Sequence, residues 1–357
     1  MKQALVASLN SGQNKYDLER YGQYTSLMRF SSIVKRHGGR IYVTGKSSDY
    51  LTEAKEQILQ VCKYIPDVVY LYCGDGGTLV FLTLLVEYWP YDKAPFPVIS
   101  LPKGGSFGIL PNRLGIRDKF KHVTHIAASD SISDLTLESI KMMQVTDDTG
   151  FKHLSFSVGI GFVVRLLREA YRKKHLKMPW VGFMTARAIA SAILKRNYYR
   201  TFEGQQRMKV ETISHSDANE TCEADWLGVI AHSVNSVGIP RYIPYRNELF
   251  WKAEKAENTF HAIGVDYSFR RLLWELPYIY MGEAGTYRDR IADESRPVLR
   301  LDKQVKSTII SADEPFEFTS CGELSFGRRP CITSWLSIEA HSNILFVSGD
   351  SKNPENE

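Results

Sequence analysis

The run Cys73-Gly74-Asp75-Gly76-Gly77-Thr78 is the segment of this chain best suited to chemistry on a phosphate. Three glycines around one aspartate let backbone N–H groups turn toward an anion, and a helix starting there adds the positive end of its dipole. An aspartate at such a place needs a reason of its own. A carboxylate beside phosphates is repulsive unless a divalent cation lies between them or the carboxylate takes a proton from the attacking hydroxyl. Both are phosphoryl-transfer roles. The same residues also suit a plain glycine turn in which Asp75 hydrogen-bonds locally. Cys73 tempts as a nucleophile, but a cysteine at a strand end is more often a small buried filler.

A second glycine-rich run, Pro102-Lys103-Gly104-Gly105-Ser106-Phe107-Gly108, follows the next apolar segment. Lys103 would offset phosphate charge and Ser106 would donate a hydrogen bond, unless Lys103 is simply a solvated loop lysine. Two such loops at the ends of successive strands converge on one crevice of an open α/β sheet. Neither a G-x-x-x-x-G-K-S/T nor a G-x-G-x-x-G pattern is present, so the common nucleotide folds are not supported.

The elements that must hold these loops are legible around them. Ala4–Ser8, Arg40–Thr44, Asp67–Tyr72 and Pro97–Leu101 read as strands. Between them, Ser26–His37 reads as a helix closed by Gly38 and Gly39, a helix capped by Ser48 or Asp49 runs through Val61, and Thr78–Trp89 is a buried helix. Alternating strands and helices predict an α/β domain over residues 1–145 with a mostly parallel sheet covered on both faces. Beyond residue 145 the pattern becomes β-rich, with runs at Leu154–Val158, Met208–Ile213, Leu227–Ser233, Val305–Ser311 and Ile332–Ile338 and one long helical stretch at 163–196. That predicts an α+β domain, an antiparallel sandwich, over 146–347, followed by a disordered tail at 350–357.

Composition sets the outer limits. The 357 residues suit two domains, and 43% hydrophobic with 24% charged residues is a globular balance. A net charge of +5 is too mild for a dedicated nucleic-acid binder, so no nucleic-acid partner is expected, while anionic ligands and membrane surfaces remain compatible. Five cysteines without a C-x-x-C spacing suggest neither a disulfide framework nor a zinc site and favour a reducing cytoplasm. The longest apolar stretch, Leu79 to Val86, falls far short of the roughly 20 residues a membrane helix needs, and Ala4 to Ala7 is too short for a signal peptide.

Taken in order, the motifs resemble the diacylglycerol kinase catalytic superfamily, which includes bacterial lipid kinases, sphingosine kinases and ceramide kinases. The matching residues are Gly74-Asp75-Gly76, then Leu101-Pro102-Lys103-Gly104-Gly105, then Arg113-Leu114-Gly115-Ile116. Asn10-Ser11-Gly12 stands where that family has its N-P-x-S-G turn, and Thr44 where it has a nucleotide-contacting threonine. Ser157-Val158-Gly159-Ile160-Gly161-Phe162 is similar to the G-x-G-F segment that opens its lipid-binding domain, and Cys321-Gly322-Glu323-Leu324 lies where it has D-G-E. The resemblance spans roughly residues 3–347.

Several positions depart from the pattern. Gly77 replaces the threonine of G-G-D-G-T, with Thr78 one place late; the D-G-E aspartate is Cys321; Val163 stands where an acidic residue often follows G-F; and no acidic cluster surrounds Glu257–His261. NAD kinases share the superfamily, and Gly105 to Asn112 looks like their G-x-L-G-F-L-x-N segment, but the second half lacks their T-P-T-G-S-T-A-Y type segment.

The resemblance implies an ATP- and Mg²⁺-dependent kinase acting on a diacylglycerol- or sphingoid-like lipid. Nucleotide would contact Asn10, Ser11, Gly12, Thr44, Gly74, Gly76, Gly77, Thr78, Lys103, Gly104, Gly105 and Ser106. Asp75 and Glu323 would be the catalytic carboxylates, with Asp75 also near the metal. A soluble substrate such as NAD, and a non-catalytic relative with decayed motifs, stay open beside it. So does a homodimer. Finally, Arg165, Arg168, Arg172, Lys173, Lys174 and Lys177, with Trp180 after them, make a basic stretch that is either a solvated helix face or a peripheral contact with an anionic membrane.

Overall fold

A computed structural model of the chain describes residues 1–45, 49–104, 109–171, 186–188, 190–191, 194, 197–214, 216, 218–233, 258–273, 301–321, 323–326 and 329–349. They fall into two compact units, Met1–Ile140 with Asn343–Glu357, and Lys141–Ser342. The chain thus leaves the first unit at residue 140 and returns to it at residue 343. The expected tail at 350–357 lies outside the described residues.

The first unit is α/β. Its strands β1 (Gln3–Ser8), β2 (Arg40–Thr44), β3 (Val68–Tyr72) and β4 (Val98–Ser100) alternate with helices α1 (Gly12–Tyr21), α2 (Thr25–Arg36), α3 (Tyr50–Tyr64) and α4 (Asp75–Tyr88), and α5 (Ile109–Arg113) and α6 (Lys119–Ala128) follow. All strand pairings are parallel, in the order β2-β1-β3-β4, with Leu5 opposite Tyr70 and Val69 opposite Ile99. β1 and β3 are buried along their whole length, as expected of strands covered on both faces. On α2 the apolar positions Leu27, Phe30 and Val34 recur at helical spacing, and all three are buried. Phe30 packs edge-on to Tyr72 at 4.6 Å within a core that includes Leu5, Tyr70, Val123 and Ile126, a burial worth about 1.5–3 kcal/mol for that side chain.

Asp49, not Ser48, is the described cap of α3, accepting the Thr52 N–H at 3.2 Å. Helix α4 begins at Asp75, three residues before the expected Thr78. Glycines are tolerated there because first-turn N–H groups have no helical partner to lose.

The second unit is strand-rich and antiparallel. Its strands are β5 (Leu137–Asp147, entering from the first unit), β6 (Lys152–Ser155), β7 (Ser157–Ile160), β8 (Gln206–Ser214), β9 (Asn219–Trp226), β10 (Gly228–His232), β11 (Phe260–Val265), β12 (Leu301–Ser320), the short pair β13 (Ser325–Phe326) and β14 (Arg329–Pro330), and β15 (Ile332–Val347). β7, β10, β11 and β12 pair in a closed circuit, because the twenty-residue β12 meets β11 at one end and β7 at the other. The expected strand Leu154–Val158 is in fact two, β6 and β7, broken at Phe156. The Phe156 N–H is diverted to Cys321 Sγ at 3.3 Å, and the Ser155 hydroxyl folds back onto the Ser157 carbonyl at 2.8 Å. Of the long helical stretch expected at 163–196, α7 (Phe162–Tyr171) and residues 186–188 and 190–191 are described as helical.

Candidate functional site

In a sheet ordered β2-β1-β3-β4 the connection leaving β1 runs one way, to β2, and the connection leaving β3 runs the other, to β4, so the topological switch point lies between β1 and β3. Ligands of open α/β sheets bind outside the carboxyl ends of the strands at that point. The loops that follow β1, β3 and β4 include Leu9–Ser11, Cys73–Gly74 and Leu101–Gly104, the last two belonging to the glycine-rich runs whose composition points to phosphate chemistry.

Packing between these loops is close. A Cβ on Gly104 would stand 2.8 Å from the Cys73 carbonyl oxygen and 3.1 Å from its nitrogen, so only glycine lets the β4 loop lie against the β3 loop. The Gly104 carbonyl in turn accepts the Gln13 N–H at 3.1 Å. Gly45, with φ +102, would place a Cβ 2.9 Å from Asn10 Nδ2 and donates its N–H to Glu53 at 2.8 Å. Asn10, Gly12, Thr44, Gly74 to Thr78, Lys103 and Gly104 are therefore gathered at one end of one sheet. Gly105 and Ser106 lie outside the described residues.

The two helices that start here differ at their N-termini. Helix α1 is closed: Ser11 is its cap and accepts the Asn14 N–H at 3.3 Å, while Gln13 N–H is taken by Gly104. Helix α4 is capped by Gly74 without any side-chain hydrogen bond. Its first-turn N–H groups and dipole thus have no side-chain cap, the arrangement that suits an anion. Asp75 opens that first turn and is buried.

Other side chains read as nucleotide contacts are engaged inside the protein. Thr44 is fully buried with its hydroxyl on the Ala7 carbonyl at 3.4 Å, and the Thr78 hydroxyl donates to the Gly74 carbonyl at 3.1 Å. At this end of the sheet Lys103 is exposed, while Asp75, in the first turn of α4, is buried.

Cys73 does not act as a nucleophile. Burial pushes its thiol up to about 12, opposed in part by the Thr78 hydroxyl 3.3 Å away and helped least by the Asp75 charge. A thiol that stays protonated is inert.

Sequence reading missed a polar cluster beneath this end of the sheet. Asp17, only 2% exposed, accepts the Ser26 N–H at 2.7 Å and Gln13 Nε2 at 2.8 Å. Burial alone would raise its carboxyl, but the bonds from Ser26 and Gln13 and the charge of Lys119 outweigh it and hold the group below 3.8. Lys119 lies among the rings of Phe120, Tyr72 and Phe30 at 5.3, 5.6 and 5.9 Å. Burial, and Lys103 nearby, lower its pKa. The one advance signal was the Gln13–Asp17 spacing of four on a helix. Asp17→Ala should cost about 2–3 kcal/mol, because two hydrogen bonds to a charged acceptor are lost and Ser26 N–H is left buried. Urea denaturation at neutral pH checks this. Because the folded carboxyl titrates below 3.8, the wild-type advantage is complete above about pH 4 and fades as pH falls through the lowered value. A difference that ignores pH would contradict the assignment.

In the second unit, Glu323 closes a tight turn. Its N–H and carbonyl exchange hydrogen bonds with Ser320, both at 3.0 Å, and Cys321 sits in the left-handed region at φ 52. Gly322 lies outside the described residues. Cys321, 1% exposed, is held by its N–H on the Ser157 carbonyl at 2.7 Å, with its sulfur 3.2 Å from the Ser155 hydroxyl. The sulfur also accepts the Phe156 N–H at 3.3 Å, so the side chain that stands in place of the D-G-E aspartate is held inside the protein.

The start of the basic stretch is built into the second unit. Arg165 donates to the carbonyls of Phe202 at 3.0 Å, Gly204 at 2.5 Å and Leu227 at 3.3 Å, and Arg168 pairs with Glu317. Arg172, Lys173, Lys174, Lys177 and Trp180 lie outside the described residues. No helix among the described residues is long and apolar enough to cross a membrane.

No protein-family model matches the sequence. No curated protein matches it either. Solved structures do: one from Bacillus anthracis str. Sterne, named a "putative diacylglycerol kinase", is 14% identical with a TM-score of 0.62, covering 98% of this chain and 96% of that one. Another from the same organism, named among "diacylglycerol kinases", is 13% identical with a TM-score of 0.57, covering 98% and 97%. At such identity the likeness is one of fold. The α/β unit followed by a strand-rich unit is the architecture of those proteins.

Proposed function

We propose that this chain is an ATP-dependent lipid kinase, transferring the γ-phosphoryl group to the hydroxyl of a diacylglycerol- or sphingoid-like lipid, and that it works in the cytoplasm at a membrane surface. The observation that carries the reading is the convergence at the β1/β3 switch point of the glycine-bounded β3 and β4 loops, with an uncapped helix N-terminus and Asp75 in its first turn. The names of the fold neighbours support the same reaction class.

In this reading the first-turn N–H groups of α4 hold the phosphates, and Lys103 offsets part of their charge. Gly104 keeps the two loops close enough for backbone to reach the ligand. The residues present suit Mg²⁺, which takes hard oxygen ligands from one or two carboxylates and from substrate phosphates instead of a full protein cage. Asp75 is such a carboxylate, and no group of three or more His, Cys, Asp or Glu side chains that would form a cage occurs among the described residues. Bound there, the ion would neutralise charge developing on the transferred group. Glu323 is the carboxylate proposed to accept the lipid hydroxyl proton.

The test is transfer of labelled phosphate from ATP to a panel of diacylglycerol, monoacylglycerol, sphingosine, ceramide and NAD. Label in one lipid supports the proposal. Label in NAD alone replaces it with the soluble-substrate reading, and ATP binding without transfer to any acceptor makes the chain a non-catalytic relative, with Cys321 the first position to suspect.

A further inference from the structure

Lys35 and Arg36, in the last turn of α2, are exposed, and their side chains have no ion-pair or hydrogen-bond partner among the described residues. Several cations of the second unit are paired instead: Arg168 with Glu317, Arg207 with Glu223 and Lys303 with Glu220. The two free cations stand at a shallow groove of about 740 Å³ between α2 and β2, whose other walls include Tyr24, Leu27, Met28 and Val43. Met28 is 58% exposed, an unusual position for so apolar a side chain.

The adjoining helix α1 continues the pattern. Tyr16, Leu18 and Tyr21 are all exposed on it, and Arg20 lies over the rings of Tyr16 and Tyr21 at 5.7 and 5.5 Å. Between residues 15 and 40 the exposed side chains include six Lys or Arg, and Glu19 is the one exposed carboxylate, since Asp17 is buried. Unpaired cations beside protruding aromatic and aliphatic side chains match the headgroup layer of an anionic bilayer, which offers phosphate charge and an apolar boundary together. A second copy of the chain would bring the same cations against themselves, and a nucleic acid would leave Met28 and Leu18 uncovered.

We propose that the α1–α2 hairpin docks this chain on an anionic phospholipid bilayer, with Lys35 and Arg36 on the headgroup phosphates and Met28, Tyr16 and Tyr21 in the apolar boundary. The hairpin carries this role whether or not the chain transfers phosphate.

Co-sedimentation of the full chain with vesicles tests it. Binding is expected on phosphatidylcholine vesicles containing phosphatidylglycerol, not on phosphatidylcholine alone, and should weaken in high salt as exposed charges are screened. Lys35→Gln with Arg36→Gln should weaken binding about 30-fold, from two headgroup contacts of the usual strength. Met28→Asp should weaken it as well, and Arg207→Gln, at a paired site of the second unit, should not. These side chains are exposed, and an unchanged melting curve verifies the fold of each variant. Equal binding by the double variant and the parent overturns the proposal, as does a parent that ignores anionic vesicles. Loss of binding only on charge reversal of Arg172, Lys173 and Lys174 also overturns it, and so does a dimer that Met28→Asp dissociates and vesicles do not compete with.

Discussion

Asp75→Asn is expected to lower kcat for phosphoryl transfer by about 10³-fold, within the range a proton- or metal-directing carboxylate commands. That is about 4 kcal/mol of barrier. The structural role of the same side chain is far smaller: a negative charge in the first turn of α4 contributes about 0.3–1 kcal/mol through the helix dipole. The melting temperature should therefore fall by no more than about 4 °C. The gap between the two magnitudes separates chemistry from folding. A variant that keeps more than about a tenth of wild-type kcat, a change under about 1.4 kcal/mol, would make Asp75 part of a plain glycine turn.

Glu323→Gln should lower the single-turnover rate by roughly 10²–10⁴ with little change in nucleotide affinity. The substitution is clean because the turn depends on Glu323 backbone, whose N–H and carbonyl both bond to Ser320 at 3.0 Å, and glutamine keeps both. A loss of rate is then a loss of carboxylate. An unchanged rate would sink the assignment and leave Glu323 as a turn residue beside a buried thiol.

Much of the first unit was legible because burial on both faces writes itself as an unbroken apolar run, as in Val68–Tyr72, and a buried helix as a nearly apolar one, as in Leu79–Val86 within α4. Helix α1 was not legible. Its buried positions are Asn14 and Asp17, polar residues that earn burial by bonding to Ser8 and Ser26, so no apolar stripe marks it. The glycine loops were found by composition, but their roles were only half visible. Spacing cannot tell that Ser11 closes α1 while Gly74 leaves α4 open, since both residues are ordinary caps. In the second unit the missed end of β15 is equally physical. The polar run Glu339–Asn343 interrupts the alternation after Ile338, yet the strand continues to Phe346 and Val347, both buried.

That continuation carries a consequence for synthesis. Phe346 pairs in parallel with Ile99 of β4, and the Gly349 N–H reaches the Leu114 carbonyl at 2.8 Å, so the first unit borrows its last strand from residues translated after the whole of 141–342. At about 5–20 residues per second, a ribosome needs about 10–40 s to deliver it. Throughout that interval β4 is an open edge on a nascent sheet, with backbone donors and acceptors facing outward, the kind of template that invites pairing with a neighbouring chain. Completion of the first unit thus waits on synthesis of the second.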